Sequence, residues 1–314
     1  MSSISLSQVQ YVLALHRTGN FSEAAHACHI TQSTLSTMIK KLEEQIDITL
    51  FDRKTKPIRL TAEGEKLIDQ FKVLFHEYDN LIEVIQETRT EYYGTFKIGI
   101  IPTLAPFLTP FILKNMVESH PKVKFTFMEI TTEEILKLLN LRELDVGLLS
   151  TPVIDKTLIQ STLFAEDFLI YDATSTKSDK RKYSVDDIEL SRLWLMEESH
   201  CMSFQVQKIC RLKKSDNLNT NLIYKSGSIL SLINLVEANK GMTLIPRIAT
   251  LHEGILNPDY LHPIVSPSPA REVGTVTHPN FSKKQLLATL EEKILSSVVP
   301  SLRKVKDIKI INPM

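Results

Sequence analysis

Two short helical segments joined by a tight turn, near the start of the chain, most constrain what this sequence can fold into. Asn20 is followed three residues later by Glu23 in the arrangement of a capping box, and Thr31 can cap the second helix. The second helix places its apolar side chains on one face, and polar side chains on the other. These features predict a helix-turn-helix whose apolar face carries Leu35, Met38, Ile39 and Leu42.

A basic segment follows this motif. No acidic residue lies between Arg53 and Ala62, and Pro57 breaks any helix, so the segment is predicted to be a loop or hairpin. Polar outward faces are common to surface helices, so the second helix alone supports DNA binding and ordinary solvation equally. The basic wing beside it favours double-stranded DNA, because such groups bond base edges and phosphates. The candidate DNA contacts are Gln32, Ser33, Thr34, Ser36, Thr37, Lys40, Arg53, Lys54, Lys56 and Arg59.

A long helix is predicted after the wing, with Thr61 as its cap. Its apolar positions alternate spacings of four and three residues, which is typical of a coiled-coil seam. The helix is therefore expected to pair with a copy of itself. The seam residues are Leu67, Phe71, Leu74, Tyr78, Leu81 and Ile85.

Predicted strands alternate with predicted helices beyond residue 94, which indicates an α/β domain with a parallel sheet. Strands are expected over 95–101, 123–129, 145–149, 167–171, 193–196 and 242–245, and helices over 106–119, 132–141, 228–238 and 283–298. Two lobes are expected, with crossings near 163–167 and 263–269. The predicted divisions are an all-α winged helix-turn-helix domain (1–60), a linker helix (61–93), a two-lobed domain (94–303) and a disordered tail (304–314). Lobe I covers about 94–165 and 267–303, and lobe II about 166–266.

Composition excludes several classes of protein. Lysine plus arginine equals aspartate plus glutamate, 37 against 37, so affinity for nucleic acid must come from a local patch. The chain has no apolar run near membrane-spanning length and no signal-peptide pattern, so a cytoplasmic protein without a membrane partner is expected. GxGxxG, P-loop, CxxC, HExxH and GxSxG motifs are missing. We therefore expect no enzyme, no cofactor and no metal site.

Residues 21–64 closely resemble the winged helix-turn-helix of LysR-type transcriptional regulators. The matching stretch is FSEAAHACHITQSTLSTMIKKLEEQIDITLFDRKTKPIRLTAEG. Ser33 stands where many members have proline, and Asp47 where glycine commonly ends the second helix, which is therefore expected to end less sharply. The resemblance implies a dimerising linker helix and a two-lobed regulatory domain similar to periplasmic binding proteins, with an effector site between the lobes. It also implies homodimers or homotetramers and RNA polymerase as a partner.

Three cysteines raise the question of what the protein senses. Cys28 is expected to pack inside the helix-turn-helix. Lys208 and Arg211 flank Cys210, and a histidine adjoins Cys201, so local positive charge could hold a thiolate, the form that attacks peroxide. The second thiol could then resolve the product into a disulfide. The alternative is that both cysteines are simply small buried apolar residues.

The stretch MEESHCMSFQVQKIC, with GIIPTLAPFLTPFI, MEITTEE and the region of Arg271, resembles the hydrogen-peroxide-sensing members of the same family. The resemblance implies a reversible Cys201–Cys210 disulfide, reset by glutaredoxin or thioredoxin, that controls antioxidant genes. Phe204 departs from the pattern, since an acidic residue is usual there, which affects the expected reaction rate. The implied sensing residues are the attacking Cys201, the resolving Cys210, His200 beside it, the hydroxyls of Thr103 and Thr132, and Arg271.

Two other functions stay open at this point. A LysR-type regulator could bind a small metabolite between its lobes, with the cysteines merely structural. A thiol peroxidase with an appended DNA-binding domain is the third possibility, although the PxxxTxxC signature of peroxiredoxins is missing.

Overall fold

The computed structural model describes residues 4–87, 93–176, 182–197, 201–211, 227–252, 254–298, 300, 302 and 307–313. The chain divides into two compact units. The first comprises Met1–Arg89 with Leu141–Glu143, and the second comprises Thr90–Asn140 with Leu144–Met314.

The first unit is a helical domain with a small hairpin. Its elements are α1 (Leu6–Thr18), α2 (Phe21–Ala27), α3 (Gln32–Ile46), β1 (Phe51–Asp52), β2 (Arg59–Leu60) and α4 (Ala62–Glu87). The two strands pair antiparallel, so the predicted wing is a hairpin. Thr31 caps α3 by accepting from the Thr34 amide, and Thr61 accepts from the Gly64 amide in the first turn of α4.

The end of α3 corrects one expectation. Asp47 takes the left-handed conformation that glycine usually supplies, with φ of 55°, and its amide bonds the Glu43 carbonyl. Aspartate tolerates this conformation better than most residues. The helix therefore ends as sharply as it would at a glycine.

Two of the six residues predicted to form the coiled-coil seam belong to the core of the first unit instead. Leu35, Ile39 and Leu42 from α3 are fully buried, and Phe71 from α4 is buried in the same cluster, with Leu67 packed against it. The six seam positions therefore do not form one continuous external stripe. The first two belong to the unit's own core, while the exposed ones are Leu74, Tyr78, Leu81 and Ile85.

The second unit is an α/β structure around one mixed sheet. Its elements are β3 (Gly94–Ile100), α5 (Ala105–Ser119), β4 (Val123–Glu129), α6 (Thr132–Asn140), β5 (Val146–Thr151), β6 (Ile159–Asp172), α7 (Cys201–Ile209), α8 (Ile229–Ala238), β7 (Met242–Pro246), β8 (Leu261–Pro263), β9 (Ser268–Thr277), α9 (Lys284–Ser297) and β10 (Ile308–Ile310). Among described residues the strand order is β4-β3-β5-β9-β6-β7, with β10 on β9 and β8 on β6.

The direction of the strands departs from the predicted parallel sheet. β4, β3 and β5 are parallel, but β9 runs antiparallel to both β5 and β6, and β6 runs antiparallel to β7. β6 pairs with β9 over its first part and with β7 and β8 over its last five residues. This one strand therefore pairs with different strands in two successive parts of its length.

Two local predictions were wrong. The stretch 193–196 is not a strand, because only Leu193 forms an isolated bridge, to Met242. The predicted crossing at 263–269 contains the connection between β8 and β9 and stays a prediction. The tail is ordered where it is described. Ile308–Ile310 forms a strand that runs parallel to Ser268–Ala270 of β9. Because β5 pairs with β9 only from Glu272 onward, β10 lies along the part of β9 that β5 does not cover. The limits of the two lobes remain predictions.

Candidate functional site

The start of α3 presents a polar surface. Gln32, Ser33, Thr34, Thr37 and Lys40 are exposed, and Ser36 is half-buried. Some of these groups also bond locally: the hydroxyls of Ser33 and Thr34 lie 3.0 and 2.8 Å from that of Thr31, and Gln32 accepts from the Ser22 hydroxyl. The helix therefore offers one continuous face of hydrogen-bonding groups suited to a major groove.

The wing is fixed to α3 by a carboxylate that the sequence did not single out. Glu43 Oε1 accepts from the amides of Leu50 at 2.7 Å and Phe51 at 3.2 Å. Its other oxygen accepts from Arg53 Nη2 at 2.9 Å. Arg53 is thus an anchor of the wing as well as a surface cation, while Lys54, Lys56 and Arg59 are exposed.

The two regulatory-domain cysteines occupy opposite ends of α7. Cys201 begins the helix and is buried, whereas Cys210 follows its last residue and is half-buried, and both are free thiols. Nine residues at the helical rise separate their Cα atoms by roughly 13 Å. A disulfide needs the Cα atoms within about 7 Å, so the two sulfurs cannot bond while α7 is helical.

The groups around Cys201 shift the pKa of its thiol in opposing directions. Burial raises its pKa, while the charge of Arg271, the hydroxyl of Thr132 and the amide of Met202 lower it. Thr132 is the first residue of α6 and its buried oxygen has no regular hydrogen-bond partner. A polar group is therefore held beside the sulfur, where a small polar molecule could bond to it.

Arg271 is fully buried and held by a network across the sheet. Its Nε and Nη2 donate to Glu166 Oε1 at 3.0 and 2.9 Å, and its Nη1 donates to Thr103 Oγ1 at 2.8 Å. Glu166 and Arg271 are register partners on β6 and β9. Burial raises the pKa of Glu166, with the Arg271 charge as the main opposing influence, and the Ile248 amide donates to its other oxygen.

The positive charge that lowers the pKa of the Cys201 thiol is that of Arg271, the basic residue that the resemblance implied. Lys208 Nζ lies 4.4 Å from the centre of the Phe204 ring. Burial raises the pKa of Cys210 to about 12, so the flanking Lys208 and Arg211 do not hold a thiolate there. His200 lies outside the described residues. Of the predicted sensing residues, the structure brings Arg271 and Thr132 to Cys201, and Thr103 to Arg271.

Gln205 is a further buried polar residue of this site that sequence reasoning missed. Its Nε2 donates to the Ile311 carbonyl at 2.7 Å and to the Ser150 hydroxyl at 3.3 Å. A signal for it existed, because Gln205 lies one helical turn after Cys201 and shares its face.

The described part of the chain has neither a metal-binding cluster nor a membrane-spanning helix. No group of three or more histidine, cysteine, aspartate or glutamate side chains suited to a metal ion occurs there. Within the same residues, no helix has both the length and the apolar character that crossing a bilayer requires.

A winged helix-turn-helix followed by a long helix and a two-lobed α/β domain defines a DNA-binding transcription regulator rather than an enzyme. Residues 6–65 match the bacterial regulatory helix-turn-helix of the lysR family, and residues 89–295 match the LysR substrate binding domain. The chain belongs to the LysR family of transcription regulators.

Individual relatives show which members of the family this chain resembles. The chain is 31% identical to the HTH-type transcriptional regulator EstR of Acinetobacter baylyi, covering 87% of this chain and 90% of EstR. It is 27% identical to the hydrogen peroxide-inducible genes activator of Haemophilus influenzae, covering 97% and 99%. A full-length OxyR variant from Pseudomonas aeruginosa has the same fold, with a TM-score of 0.78 at 23% identity, covering 98% of this chain and 100% of that one. The chain is thus an OxyR-like regulator.

Proposed function

We propose that this regulator senses hydrogen peroxide through Cys201 and passes the signal to DNA. The observation that carries the proposal is the set of groups around Cys201, where a buried arginine and a hydroxyl without a regular partner both lower the pKa of the thiol against the effect of burial. The family membership and the peroxide-inducible relative support the same function.

The chemistry takes two steps. The Cys201 thiolate attacks one oxygen of hydrogen peroxide, the O–O bond breaks, and the leaving hydroxide takes up a proton to become water. Cys201 is then a sulfenic acid. The Cys210 thiol attacks that sulfur, a second water leaves, and the S–S bond forms. A dithiol reductant, glutaredoxin or thioredoxin, supplies the two electrons that reverse the change.

The residues around Cys201 contribute to its attack on peroxide. Burial raises the pKa of Cys201 and so opposes the loss of its proton. The Arg271 guanidinium stabilises the negative charge that develops when the proton leaves, and the Thr132 hydroxyl is placed to align the peroxide. Thr103 holds Arg271 rather than the sulfur in this structure.

The second step, formation of the disulfide, changes the conformation of α7. Since α7 keeps its two cysteines roughly 13 Å apart, closing the disulfide requires part of the helix to unfold. The unwound segment then packs differently against the sheet, and this difference in packing alters the arrangement of the chains in the oligomer.

The output is transcription from promoters bound by the first unit. The exposed face of α3 contacts base edges, and Lys54, Lys56 and Arg59 contact phosphate. The exposed apolar positions of α4 join two chains, which assemble further into homotetramers. We place the protein in the cytoplasm, with RNA polymerase as a partner and antioxidant genes as targets.

Single-cysteine replacements test the proposal. Cys28→Ser should leave a peroxide-dependent shift of the DNA footprint intact, and Cys201→Ser should abolish it. Cys210→Ser should accumulate a sulfenic acid on Cys201 that a sulfenate-specific reagent traps, whereas mass spectrometry of the unaltered protein should find the 201–210 disulfide. A footprint that still shifts with peroxide in Cys201→Ser would overturn the mechanism.

The match of residues 89–295 to the LysR substrate binding domain favours a second candidate, a regulator that responds to a metabolite bound between its lobes. In that case the free-thiol count should stay constant when substoichiometric peroxide is added. The footprint should then change with a small molecule in both wild type and Cys201→Ser.

A further inference from the structure

The end of the chain forms a short strand beside the thiol site. Ile308–Ile310 pairs in parallel with Ser268–Ala270 at the start of β9. The pairing is closed by backbone bonds at each end: Ser268 N donates to the Asp307 carbonyl at 3.0 Å, and Ile311 N donates to the Ala270 carbonyl at 2.7 Å. Ile311 packs against the apolar core, and Pro313 is buried. Residues 307–313 are called the strap below.

The strap is bonded directly to the helix that carries the cysteines. The Ile311 carbonyl accepts from Gln205 Nε2, and the same nitrogen reaches the Ser150 hydroxyl at the end of β5. Gln205 is fully buried, so losing either acceptor would leave its amide without water to replace the bond. One side chain in the middle of α7 therefore joins that helix to the sheet and to the chain terminus.

The strap also touches the strand that supplies the buried arginine. Ile311 N bonds the carbonyl of Ala270, the residue just before Arg271. The strap therefore meets the thiol site on two elements, α7 through Gln205 and β9 through Ala270.

Gln205 lies at the centre of the segment that disulfide formation must rearrange. It is four residues after Cys201 and five before Cys210, at the midpoint of a helix whose ends must come together. An intact turn from Cys201 to Gln205 already carries the chain about 6 Å away from the first cysteine. Closing the disulfide therefore requires residues on at least one side of Gln205 to unwind, and the bond from Gln205 to the strap opposes any unwinding that displaces this side chain.

We propose that the strap restrains α7 in its helical form and so slows the joining of Cys210 to an oxidised Cys201. We expect the restraint to act mainly on the second chemical step, because the groups that shift the pKa of the Cys201 thiol are Arg271, Thr132 and backbone amides of α7, none of which belongs to the strap. The inference rests on the proposed function for its biological meaning, but the mechanical restraint on α7 is measurable without peroxide.

Hydrogen–deuterium exchange of the full-length reduced protein tests the restraint itself. We compare wild type with a chain ending at residue 306, with Ile311→Pro, which removes the amide bonded to Ala270, and with Gln205→Met, which keeps the volume but cannot donate. The matched control is Lys309→Ala, an exposed position of the same strand. Amides within 201–210 should exchange about tenfold faster in the three altered proteins, the effect of losing one buried hydrogen bond, and at the wild-type rate in the control.

Peroxide kinetics then separate the two steps. In the truncated protein the disulfide should form from the sulfenic acid about tenfold faster, while oxidation of Cys201 in a Cys210→Ser background should change less than twofold. If wild type shows no oxidation of Cys201, the proposed function fails, and the exchange experiment still decides on the strap.

Unchanged exchange of α7 in both the truncated chain and Gln205→Met would overturn the inference. If truncation alone unfolds the regulatory domain, as circular dichroism would show, the two point variants decide. A truncated protein with faster exchange but an unchanged rate of disulfide formation would also overturn it.

Discussion

The Arg271 guanidinium donates a hydrogen bond of 2.8 Å to the hydroxyl of Thr103. Thr132, the other threonine predicted to act in sensing, has a buried hydroxyl with no regular partner and acts on the Cys201 thiol instead. Two residues to which the resemblance assigns one role therefore make different contacts. Thr103 positions the arginine, and Thr132 faces the sulfur.

Thr132→Val should slow the reaction of Cys201 without weakening the fold. The methyl group replaces a hydroxyl that makes no regular hydrogen bond, so the free energy of unfolding should change by less than about 1 kcal/mol. The pKa of Cys201 should rise, because one group that lowers it is lost. The pH dependence of Cys201 alkylation measures this shift, which should move to higher pH.

Thr103→Val is the matched comparison. It leaves a buried donor of Arg271 unpaired, so it should destabilise the regulatory domain by about 1–3 kcal/mol. If the two valine variants had equal stability, the division of roles between the threonines would be wrong.

The reduced protein should lose stability in alkaline solution because of Cys210. Burial raises the pKa of this thiol to about 12, so the folded form keeps a proton that the unfolded chain releases near pH 9. The stabilising contribution is complete below pH 9 and is lost as the pH rises toward 12. Between pH 9 and 10 the unfolding free energy should fall by about 1 kcal/mol from this group.

Urea titrations at both pH values, for wild type and Cys210→Ser, measure that loss. The serine variant should show a shallower decline. Parallel declines in the two proteins would contradict the assignment.

Lys56→Ala should weaken DNA binding to all sequences alike. Lys56 is exposed on the wing, and removing one phosphate contact should lower the slope of log affinity against log salt by about one. Filter binding or fluorescence anisotropy at several salt concentrations measures the slope. Gln32→Ala and Ser36→Ala should instead alter which operator is preferred.

Lys114→Ala is the control, an exposed lysine of the regulatory domain. Arg53→Ala should lower both affinity and melting temperature, since Arg53 also bonds Glu43. An unchanged salt slope in Lys56→Ala would remove the wing from the DNA interface.

Leu81→Asp should dissociate the dimer while the helical unit stays folded. Leu81 is 56% exposed within its own chain, so the charge alters only the surface that we propose binds the second chain. Sedimentation of the fragment 1–90 should change from dimer to monomer with an unchanged circular dichroism spectrum. DNA binding should fall with it.

Leu81→Met keeps an apolar side chain of similar size and should remain dimeric. Phe71→Asp should unfold the fragment instead, because Phe71 is in its core. A dimeric Leu81→Asp fragment would rule out this face as the interface.

The local sequence pattern was sufficient for the elements whose side chains interact within a few residues. The capped α3 with its polar face, the wing broken by Pro57 and the long α4 follow from helical periodicity and turn chemistry. The spacing of Cys201 and Cys210 likewise follows from the sequence. These features depend on neighbours three or four residues away, which a single sequence displays.

Strand register and tertiary packing determined those parts of the fold and of the site that the local sequence pattern does not predict. Register places Arg271 of β9 opposite Glu166 of β6, and the turn after β3 brings Thr103 to the same guanidinium. Packing placed Phe71 in a core and left Leu81 outside. The antiparallel β9 and the strand at the chain end pair residues far apart in sequence. No local periodicity encodes such pairings, because their free energy is gained only when the whole sheet has formed.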